Sequence, residues 1–533
     1  MSQDEFDPLD RPATIPAQLA ASAEAFGDAI YLVGEDGQRL SFRETQVQAE
    51  RAARAFLASG LGLGDRVAIW APKSVEWVIA CLGLQIAGGV LVPLNTRFKA
   101  EEAGYILERS GAKFLCVARH FLGNDYVGML QSVYGSMSGS CRFPGLPGLA
   151  VVVAIDDTAE WTSFLQAGDP VSGIALGQRI GEIGPDSLAD ILFTSGTTGN
   201  PKGAMHGHRQ ALGAVRSFNF VNGFQRDDRM AIVNPFFHSF GYRAGWVACL
   251  IAGMTACPVA MLDVRAFIDL IEREAISVLP GPPTLFQTIL DLSDRRALPT
   301  VRLGITGAAN IDPEVIRRSR EELGIATMLT SYGLTEATAM GTSCRVGDDI
   351  DTIAGTVGRS FPGWKMRLVA RDGTFAKSGA AGEIQFSGFN VMQGYFDDPG
   401  ATAAAIDADG WLHTGDIGTL DDCGYLKIID RLKDIVIVDG FNVYPAEIEG
   451  MIRRAPGVAE VAVVGRPDAR LGEVCVAFVV PSRGQSDLDA LADWCGIYMA
   501  NYKVPRRFVM IDALPKTPLG KVQRFLLRQW AET

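Results

Sequence analysis

Hydroxyl, glycine and lysine residues are concentrated in the segment Phe193–Gly203, which reads Phe-Thr-Ser-Gly-Thr-Thr-Gly-Asn-Pro-Lys-Gly. Glycine has no Cβ, so the backbone N–H groups of such a loop can turn toward an anion. The Thr and Ser hydroxyls add donors, and Lys202 adds a positive charge. The spacing differs from the Gly-x-x-x-x-Gly-Lys-Ser/Thr pattern of a Walker A loop, and the later pair Gly520-Lys521 does not fit that pattern either. The segment therefore predicts a phosphate-binding loop of another kind.

The elements around this loop indicate where it lies. The mostly apolar run Leu188–Phe193 is interrupted only by Asp190 and is typical of a buried strand. Strand-like runs alternate with helical patterns through most of the chain, which favours α/β architecture with largely parallel sheets. Ligands in such folds collect at the carboxyl ends of strands, where this loop would lie. For the long apolar run Trp77–Leu94, which contains Gly and Pro, we expect a buried helix and then a buried strand, not a membrane span.

The chain changes character toward its C-terminal part. After about residue 360, short strands separated by turn signals favour an antiparallel or barrel-like segment. The charged stretch Ile429–Asp434 follows, and a small α+β pattern comes after it. Because 533 residues exceed the size of a single core, we expect at least two domains. We place the large N-terminal domain at 1–430, a hinge at 431–434 and a C-terminal domain at 435–533.

Composition narrows the classes of function. A net charge of −12 argues against a nucleic-acid partner, which needs a basic surface. The nine cysteines contain no Cys-x-x-Cys pair and the chain has only five histidines, so we expect no zinc site. Reduced thiols and an acidic, polar N-terminus without a signal-peptide pattern favour a cytoplasmic enzyme.

Further segments combine small, polar and charged residues in short runs. They are Asn234–Gly241, Gly307-Ala308-Ala309, Ser331–Glu336, Trp411–Asp416, Asp430–Asp434, Gly440–Pro445 and Pro515–Lys521. Together with the glycine-rich loop, these segments resemble the adenylate-forming superfamily of acyl-CoA synthetases, luciferases and peptide-synthetase adenylation domains, in the order of that family. The resemblance covers nearly the whole chain. It implies a large N-terminal domain of stacked α/β sheets with a small barrel-like segment, and a mobile small α+β C-terminal domain.

The resemblance implies that this superfamily's nucleotide site is present here. Tyr332 would pack on adenine, Thr335 would touch the α-phosphate, and Glu336 would bind Mg²⁺, which prefers hard oxygen ligands. Asp416 and Arg431 would contact the ribose. The segment around Gly307, Ala308, Ala309 and Gly333 would lie against the base. The glycine-rich loop would hold the β- and γ-phosphates as departing pyrophosphate through Thr194, Ser195, Gly196, Thr197, Thr198, Gly199 and Lys202.

The remaining implied roles concern the chemistry and the domain movement. Lys521 would be the catalytic lysine, bridging the attacking carboxylate and the α-phosphate, since a cation between two anions lowers their repulsion. His238 would border the acyl pocket and gate the coenzyme A tunnel. Lys433 would be the hinge, and the segment beginning Gly440-Phe441 would line the pantetheine tunnel in the second half-reaction.

The resemblance therefore implies an ATP-dependent carboxylic acid–CoA ligase that uses ATP, Mg²⁺ and coenzyme A and is a monomer or homodimer. No acid lies between Asn234 and Trp246, which disfavours amino-acid activation. The segments Phe236–Trp246 and Val278–Phe286 resemble the bacterial synthetases that activate the indanedione propanoate left from steroid C and D rings. We expect a bulky alicyclic, steroid-derived, aryl-alkanoic or medium-chain acid. The alternatives are a ligase that loads a carrier protein, an oxygenase of the luciferase kind, and an inactive nucleotide-binding regulator.

Overall fold

The computed structural model describes most of the chain. The described residues are 6–9, 12–136, 143–194, 201–307, 311–431, 434–438, 441–468, 471–482, 488–499, 501, 503–516 and 520–532, without the side chains of 431, 437, 441, 442 and 472. They divide into two compact units. Unit 1 comprises Met1–Ser195, Pro201–Lys365 and Phe386–Leu412, and unit 2 includes Met366–Gln385 and His413–Thr533.

The helices and strands alternate through the first two thirds of the chain. The helices are α1 Ile15–Phe26, α2 Phe42–Ala58, α3 Val75–Ile86, α4 Ala100–Ser110, α5 Tyr126–Tyr134, α6 Thr158–Gln166, α7 Gly173–Gly181, α8 His208–Asn222, α9 Ser239–Gly241, α10 Ala248–Ala252, α11 Val264–Arg273, α12 Pro283–Leu290, α13 Pro313–Glu321, α14 Ile350–Gly355, α15 Pro399–Ala405, α16 Pro445–Ile452, α17 Leu488–Tyr498 and α18 Arg524–Glu532. A π-helical turn, Tyr242–Val247, and a 3₁₀ turn, Thr335–Ala337, complete the helical elements of the described residues.

The strands range in length from the two residues of His120–Phe121 to the eleven of Val458–Asp468. They are β1 Ile30–Val33, β2 Arg39–Ser41, β3 Arg66–Trp70, β4 Val90–Pro93, β5 Phe114–Val117, β6 His120–Phe121, β7 Asn124–Asp125, β8 Val151–Ala154, β9 Leu188–Thr194, β10 Lys202–Gly207, β11 Arg229–Ile232, β12 Thr255–Pro258, β13 Val278–Pro280, β14 Leu303–Gly307, β15 Thr327–Tyr332, β16 Thr342–Ser343, β17 Arg359–Ser360, β18 Trp364–Val369, β19 Gly382–Gly388, β20 Gly394–Tyr395, β21 Leu412–Leu420, β22 Leu426–Arg431, β23 Val436–Val438, β24 Phe441–Val443, β25 Val458–Asp468, β26 Gly472–Pro481 and β27 Arg507–Met510.

Two mixed sheets form the framework of unit 1. One has the order β17-β16-β15-β14-β13-β11-β12-β1-β2, and the other has the order β20-β10-β9-β4-β3-β5-β8. The inner pairs, such as β14 with β15 and β3 with β4, are parallel. The end strands β2, β17 and β20 are antiparallel to their neighbours, whereas β8 is parallel to β5. Strands covered on both faces need apolar residues throughout, which is the pattern of β4 and β5. The α/β class predicted from the sequence is confirmed.

The apolar run Trp77–Leu94 forms a buried helix and a buried strand, as expected. Helix α3 begins after Ser74, whose side chain accepts a hydrogen bond from the Trp77 N–H, and all of its residues except Glu76 are buried. Strand β4 follows and pairs with β3 and β9 inside the sheet. In the described part of the chain, no helix is long and apolar enough to cross a membrane.

Unit 2 has a sheet in which β18, β19, β21 and β22 follow one another, and a second sheet with the order β24-β23-β26-β25 and β27 beside β26. Successive residues of a strand point to opposite faces. Val461 and Val463 of β25 accordingly pack in a core that includes residues of α16 and α17. Ala462 and Val464 pack in a second core that includes residues of α18. The small α+β pattern predicted here is confirmed.

Candidate active site

Strands β9 and β10, which flank the glycine-rich segment in the sequence, pair as an antiparallel hairpin. Thr194 lies opposite Lys202 in this pair, and the Thr194 hydroxyl donates to the Lys202 carbonyl over 3.4 Å. The Lys202 side chain is exposed. The loop residues Ser195, Gly196, Thr197, Thr198 and Gly199 lie outside the described residues.

Lys202 and Glu336 are linked through Tyr395, which the sequence analysis did not identify. Strand β20 pairs with β10 and brings the Tyr395 ring to 5.3 Å from the Lys202 Nζ. The Tyr395 hydroxyl donates a hydrogen bond of 2.8 Å to Glu336 Oε1. Burial and the Glu336 carboxylate raise the pKa of Tyr395 well above its usual value, so the phenol stays a donor at neutral pH. Its sequence signal is only a tyrosine after a glycine, which is too common to single out.

The predicted adenine segments follow two neighbouring parallel strands. Gly307 ends β14 and lies opposite Ser331 of β15, so the two segments emerge at the same edge of the sheet. A Cβ on Gly307 would collide with the Ser331 carbonyl, and a Cβ on Gly333 would collide with the Ala339 carbonyl. Glycine is therefore required at both positions by close backbone approach. Ala308 and Ala309 lie outside the described residues.

The turn that carries Thr335 and Glu336 is held in a strained conformation. Thr338 and Ala339 have φ angles of 54° and 70°, a region that non-glycine residues rarely adopt. The Ala339 N–H donates to the Leu334 carbonyl over 2.8 Å, and the Met392 N–H donates to the Glu336 carbonyl over 2.8 Å. These hydrogen bonds therefore hold the turn with Thr335 and Glu336 in place despite the strain at Thr338 and Ala339.

Glu336 has the properties of a magnesium ligand. Its carboxylate is partly exposed, and among the described residues no lysine or arginine forms an ion pair with it. The described residues contain no cluster of three or more acidic, histidine or cysteine side chains able to hold a metal alone. Mg²⁺ commonly binds through one or two carboxylates with substrate phosphates and waters completing the shell. Glu336 fits that mode of binding, in which its second carboxylate oxygen would be the ligand.

A cluster of buried charged side chains is formed by the two hairpin strands and the π-helical turn. Asp190 of β9 lies opposite His206 of β10, and the Asp190 Oδ1 lies 3.1 Å from His206 Nδ1. Arg243, in the π-helical turn, donates from Nη2 to the same oxygen over 2.6 Å. All three side chains are fully buried. Burial alone would raise the pKa of Asp190, but Arg243 and His206 hold it below its usual value. The sequence analysis noted Asp190 only as an interruption of a strand.

His238 lies directly before α9 and the π-helical turn. Its Nδ1 accepts a hydrogen bond of 3.2 Å from the Phe240 N–H, and the ring is half-buried. A Cβ on Gly241 would collide with the carbonyls of Asn234 and Pro235, so the chain folds back tightly on this motif. The backbone is kinked within the turn that follows, because Gly245 has a φ of −98° and a ψ of −109°, which are not helical values.

An aromatic cluster packs against the π-helical turn. Trp77 lies 5.1 Å from Phe236, 6.4 Å from Tyr242 and 6.2 Å from Trp246, measured between ring centres. The Tyr31 hydroxyl donates to the Trp246 carbonyl over 2.9 Å. These large rings and the Tyr31 hydrogen bond therefore hold the backbone of the π-helical turn in place.

Within unit 2, the two predicted ribose contacts are neighbours in one sheet. Asp416 of β21 lies opposite Arg431 of β22, and the Asp416 side chain is buried. Gly415 has a φ of 69°, which places Asp416 directly after a left-handed residue. The Arg431 side chain, Lys433 and Gly440 lie outside the described residues. Phe441 is described only as the first residue of β24.

Lys521 lies between the last strand and the last helix of unit 2. Its side chain is exposed. An isolated bridge between Lys516 and Val522 and the Gln523 N–H to Pro515 carbonyl bond of 2.8 Å close the loop that carries it. Lys516 is ion-paired with Glu460 over 2.5 Å. The loop therefore presents Lys521 to solvent, while its neighbour is tied to β25.

Comparison with known proteins gives matches along almost the whole chain. The family described as AMP-binding enzyme matches residues 19–396, and the family described as AMP-binding enzyme C-terminal domain matches residues 447–521. A relative from Mycobacterium tuberculosis, 3-[(3aS,4S,7aS)-7a-methyl-1,5-dioxo-octahydro-1H-inden-4-yl]propanoyl:CoA ligase, is 44% identical over 523 residues, which cover 97% of this chain and 98% of the relative.

Solved structures show the same fold with nucleotides bound. ATP-bound MatB from Rhodopseudomonas palustris has a TM-score of 0.86 at 30% identity, over 98% of this chain and 99% of that chain. The o-succinylbenzoate CoA synthetase MenE from Bacillus subtilis, in complex with its acyl-adenylate intermediate, has a TM-score of 0.81 at 28% identity, over 96% and 97% of the two chains.

Proposed function

The chain belongs to the AMP-binding enzyme family and is an ATP-dependent acid–CoA ligase, and from this premise we propose that its acid is a bulky alicyclic, steroid-derived propanoate. The observation that carries the proposal is 44% identity, over 97% of this chain, to a ligase named for a fused-ring propanoyl group. Aryl-alkanoic and medium-chain acids are the alternatives. Side chains that touch the acyl group decide between acids of this size.

The reaction has two steps. An acid carboxylate oxygen attacks the α-phosphorus of ATP, a new P–O bond forms, and the α–β phosphoanhydride bond breaks to release pyrophosphate. The coenzyme A thiolate then attacks the acyl carbonyl and displaces AMP, which leaves far more readily than an oxide would. Mg²⁺, when bound, supplies positive charge to the phosphates.

We assign the phosphate roles to the hairpin and the strained turn. Lys202 and the loop hydroxyls from Thr194 onward would hold the β- and γ-phosphates. Thr335 would touch the α-phosphate, and Glu336 would hold the metal. The hydrogen bond from Tyr395 to Glu336 and the ring of Tyr395 beside Lys202 support this assignment, because they bring the Lys202 and Glu336 side chains to the same tyrosine.

We assign the other roles from the resemblance and the local geometry. Tyr332, beside Gly333 and Gly307, would pack on adenine, and Asp416 with Arg431 would bind the ribose. Lys521 would bridge the carboxylate and the α-phosphate during adenylation, and its exposed side chain supports this role because substrates could reach it from solvent.

The acyl and thiol roles complete the proposal. His238 would border the acyl pocket, supported by its place before the π-helical turn. Lys433 in the stretch 431–434 would be the hinge, and Gly440 and Phe441 would line the pantetheine tunnel. We also propose a cytoplasmic location, supported by the absence of disulfides among the described cysteines.

The decisive experiment is an acid panel scored by CoA-ester formation. Saturated fused-ring propanoates, phenylalkanoates and straight-chain acids of matched carbon number would be compared by kcat/KM. We expect the fused-ring propanoate to exceed a straight-chain acid at least about tenfold, since one or two extra contacts in an apolar pocket give that much. A preference for the straight-chain acid would overturn the substrate proposal.

The same panel tests the reaction class. Pyrophosphate release would be measured with and without coenzyme A. Acyl-AMP that accumulates unchanged after coenzyme A is added would point instead to transfer onto a carrier protein. Lys202→Ala would sharpen the assignment of the loop, because it should slow adenylation more than thioester formation from supplied acyl-AMP. Equal slowing of both steps would contradict that assignment.

A further inference from the structure

His206 is a buried side chain that connects the ion cluster of unit 1 to the strained turn. One ring nitrogen, Nδ1, lies 3.1 Å from Asp190 Oδ1, and the other, Nε2, lies 2.8 Å from the Thr335 carbonyl oxygen. A carbonyl oxygen only accepts hydrogen bonds, so Nε2 carries a proton and donates it to Thr335. This bond joins strand β10, which carries His206, to the turn that carries Thr335 and Glu336.

The surroundings of the ring fix its orientation. Asp190 is itself held by Arg243, whose Nη2 donates to the same carboxylate oxygen over 2.6 Å. Arg243 belongs to the π-helical turn, which the aromatic cluster supports. The His206 ring therefore lies between two parts of the molecule that are both firmly placed. Its Nε2–H points at one atom of the turn, the Thr335 carbonyl.

Both ring nitrogens of His206 face oxygen acceptors. The Thr335 carbonyl only accepts, so a proton is required at Nε2, and a hydrogen bond from Nδ1 to the Asp190 carboxylate requires a proton there as well. Burial and the nearby Arg243 lower the pKa of His206, against the opposing effects of Asp190 and the Thr335 carbonyl. The contact with the turn depends only on the proton at Nε2.

We propose that His206 is a positioning residue for adenylation, which holds the Thr335–Ala337 turn in register through its Nε2–H bond to the Thr335 carbonyl. Asp190 and Arg243 orient the ring for this task. The proposal rests on the roles assigned above to Thr335 and Glu336. Loss of the bond would let the turn relax from its strained conformation and would displace both side chains relative to the α-phosphate.

Replacing His206 with glutamine or with asparagine tests the contacts of its two ring nitrogens separately. In His206→Gln the amide nitrogen lies near the position of Nε2, so donation to Thr335 is retained. In His206→Asn it lies near the position of Nδ1, so only the contact with Asp190 is retained. We expect His206→Asn to slow ATP–pyrophosphate exchange on the order of 10- to 100-fold, the cost of a small misplacement of reacting groups. His206→Gln should stay within about threefold, as expected when one hydrogen bond is kept.

A second readout separates positioning from folding. Thioester formation from supplied acyl-AMP should change by less than about threefold in both variants, because that step no longer needs Thr335 and Glu336 to hold ATP. Thermal unfolding of both variants shows whether they are folded. Equal loss in the Gln and Asn variants, or equal loss in both half-reactions, would overturn the proposal.

His208 provides a matched control two residues further along the chain. It is buried, and its Nδ1 accepts a hydrogen bond from the Ile15 N–H over 3.3 Å, away from the turn. His208→Asn keeps an acceptor near Nδ1 and should leave ATP–pyrophosphate exchange unchanged. Glu336→Gln tests the proposed role of Glu336 separately from that of His206. If ATP–pyrophosphate exchange stays at the wild-type rate in this variant, the proposed role of Glu336 is wrong. The positioning role of His206 is then tested through Thr335→Ala alone.

Discussion

Both units bury a carboxylate against an arginine, but the two pairs differ in their surroundings. In unit 1, Asp190 lies 2.6 Å from Arg243 and also contacts His206, and its pKa is lowered despite burial. In unit 2, Glu449 accepts from Arg524 over 2.6 Å and from the Val463 N–H over 2.8 Å, and burial raises its pKa despite these partners. The charged form of the first carboxylate is therefore favoured, whereas protonation of the second is made easier.

This difference indicates how each unit holds its candidate active-site residues. The Asp190 pair continues through His206 to Thr335, so we expect stability and adenylation to be linked in unit 1. The Glu449 pair joins α16, β25 and the first residue of α18. Lys521 precedes that helix by three residues but is exposed, so its chemistry is separable from the packing of unit 2.

The largest expected effect comes from removing one arginine from each pair. Arg243→Met should reduce the free energy of unfolding by about 3–5 kcal/mol, because it leaves the charged Asp190 buried. Arg524→Met should cost less, about 1–3 kcal/mol, because Glu449 can protonate. Urea unfolding followed by hydrogen exchange of each unit measures both.

A second substitution checks the cause. Adding Asp190→Asn to Arg243→Met should recover part of the lost stability, because the buried charge is gone. Arg265→Ala, which breaks an exposed ion pair with Asp294, should change stability by less than about 1 kcal/mol. If Arg243→Met and Arg524→Met cost the same, the contrast between the two carboxylates is wrong.

The next effect concerns Lys521 and tests the separation of chemistry from packing. Lys521→Ala should slow adenylation on the order of 100- to 1,000-fold, because a preorganised positive charge at the reacting phosphate is lost. The melting temperature should not change, since the side chain is exposed. Single-turnover pyrophosphate release measures the rate.

Lys516→Ala is the control in the same loop. It breaks an ion pair with Glu460 and should leave adenylation within about twofold, as expected for a surface pair. Comparable loss in the two lysine variants would mean that loop conformation, and not the Lys521 charge, limits the rate.

Acidification should weaken unit 1 and spare unit 2. Burial lowers the pKa of His208 to about 4, below the ordinary 6.5, so the unfolded chain binds more protons between these values. Stability therefore falls as the pH drops from 6.5 to 4, by about 3 kcal/mol in total. Asp190, with its lowered pKa, adds to this loss at lower pH, whereas Glu449 has the opposite sign.

Hydrogen exchange at pH 7.0, 5.5 and 4.5 would follow the two units separately. His208→Asn should flatten the dependence of unit 1 on pH in this window, because Asn does not titrate. Loss of protection in unit 2 before unit 1 would contradict the comparison.

The local features of the fold were predictable from sequence, and the long-range ones were not. The apolar run Trp77–Leu94 and the strand Leu188–Phe193 follow from patterns within a few residues. Some boundaries moved, since the structure continues this strand to Thr194 and begins α3 at Val75. The ends of elements are set by caps and hydrogen bonds, which the apolar pattern does not show.

The candidate site likewise has residues that the sequence predicts and contacts that it does not. Phosphate-binding and carboxylate residues stand out because their types recur in short motifs. The contacts that hold them do not, since Arg243 meets Asp190 across 53 positions and Tyr395 meets Glu336 across 59. The pairing of β9, β10 and β20 places one partner of each contact, Asp190 and Tyr395, on strands of the same sheet. A buried aspartate in an apolar strand was the one available signal, because it requires a partner.

The smallest expected effect tests whether Tyr395 acts on Glu336 or only packs. Tyr395→Phe removes a hydrogen bond to a carboxylate, so adenylation should fall about tenfold, and more Mg²⁺ should be needed for half-maximal rate. Tyr31→Phe is the matched control, because Tyr31 is buried in the same unit and donates to a backbone carbonyl over 2.9 Å. It should lower stability by about 1 kcal/mol without moving the Mg²⁺ dependence. If both variants shift that dependence alike, the linkage of stability to adenylation in unit 1 is general, and the contact between Tyr395 and Glu336 has no separate role.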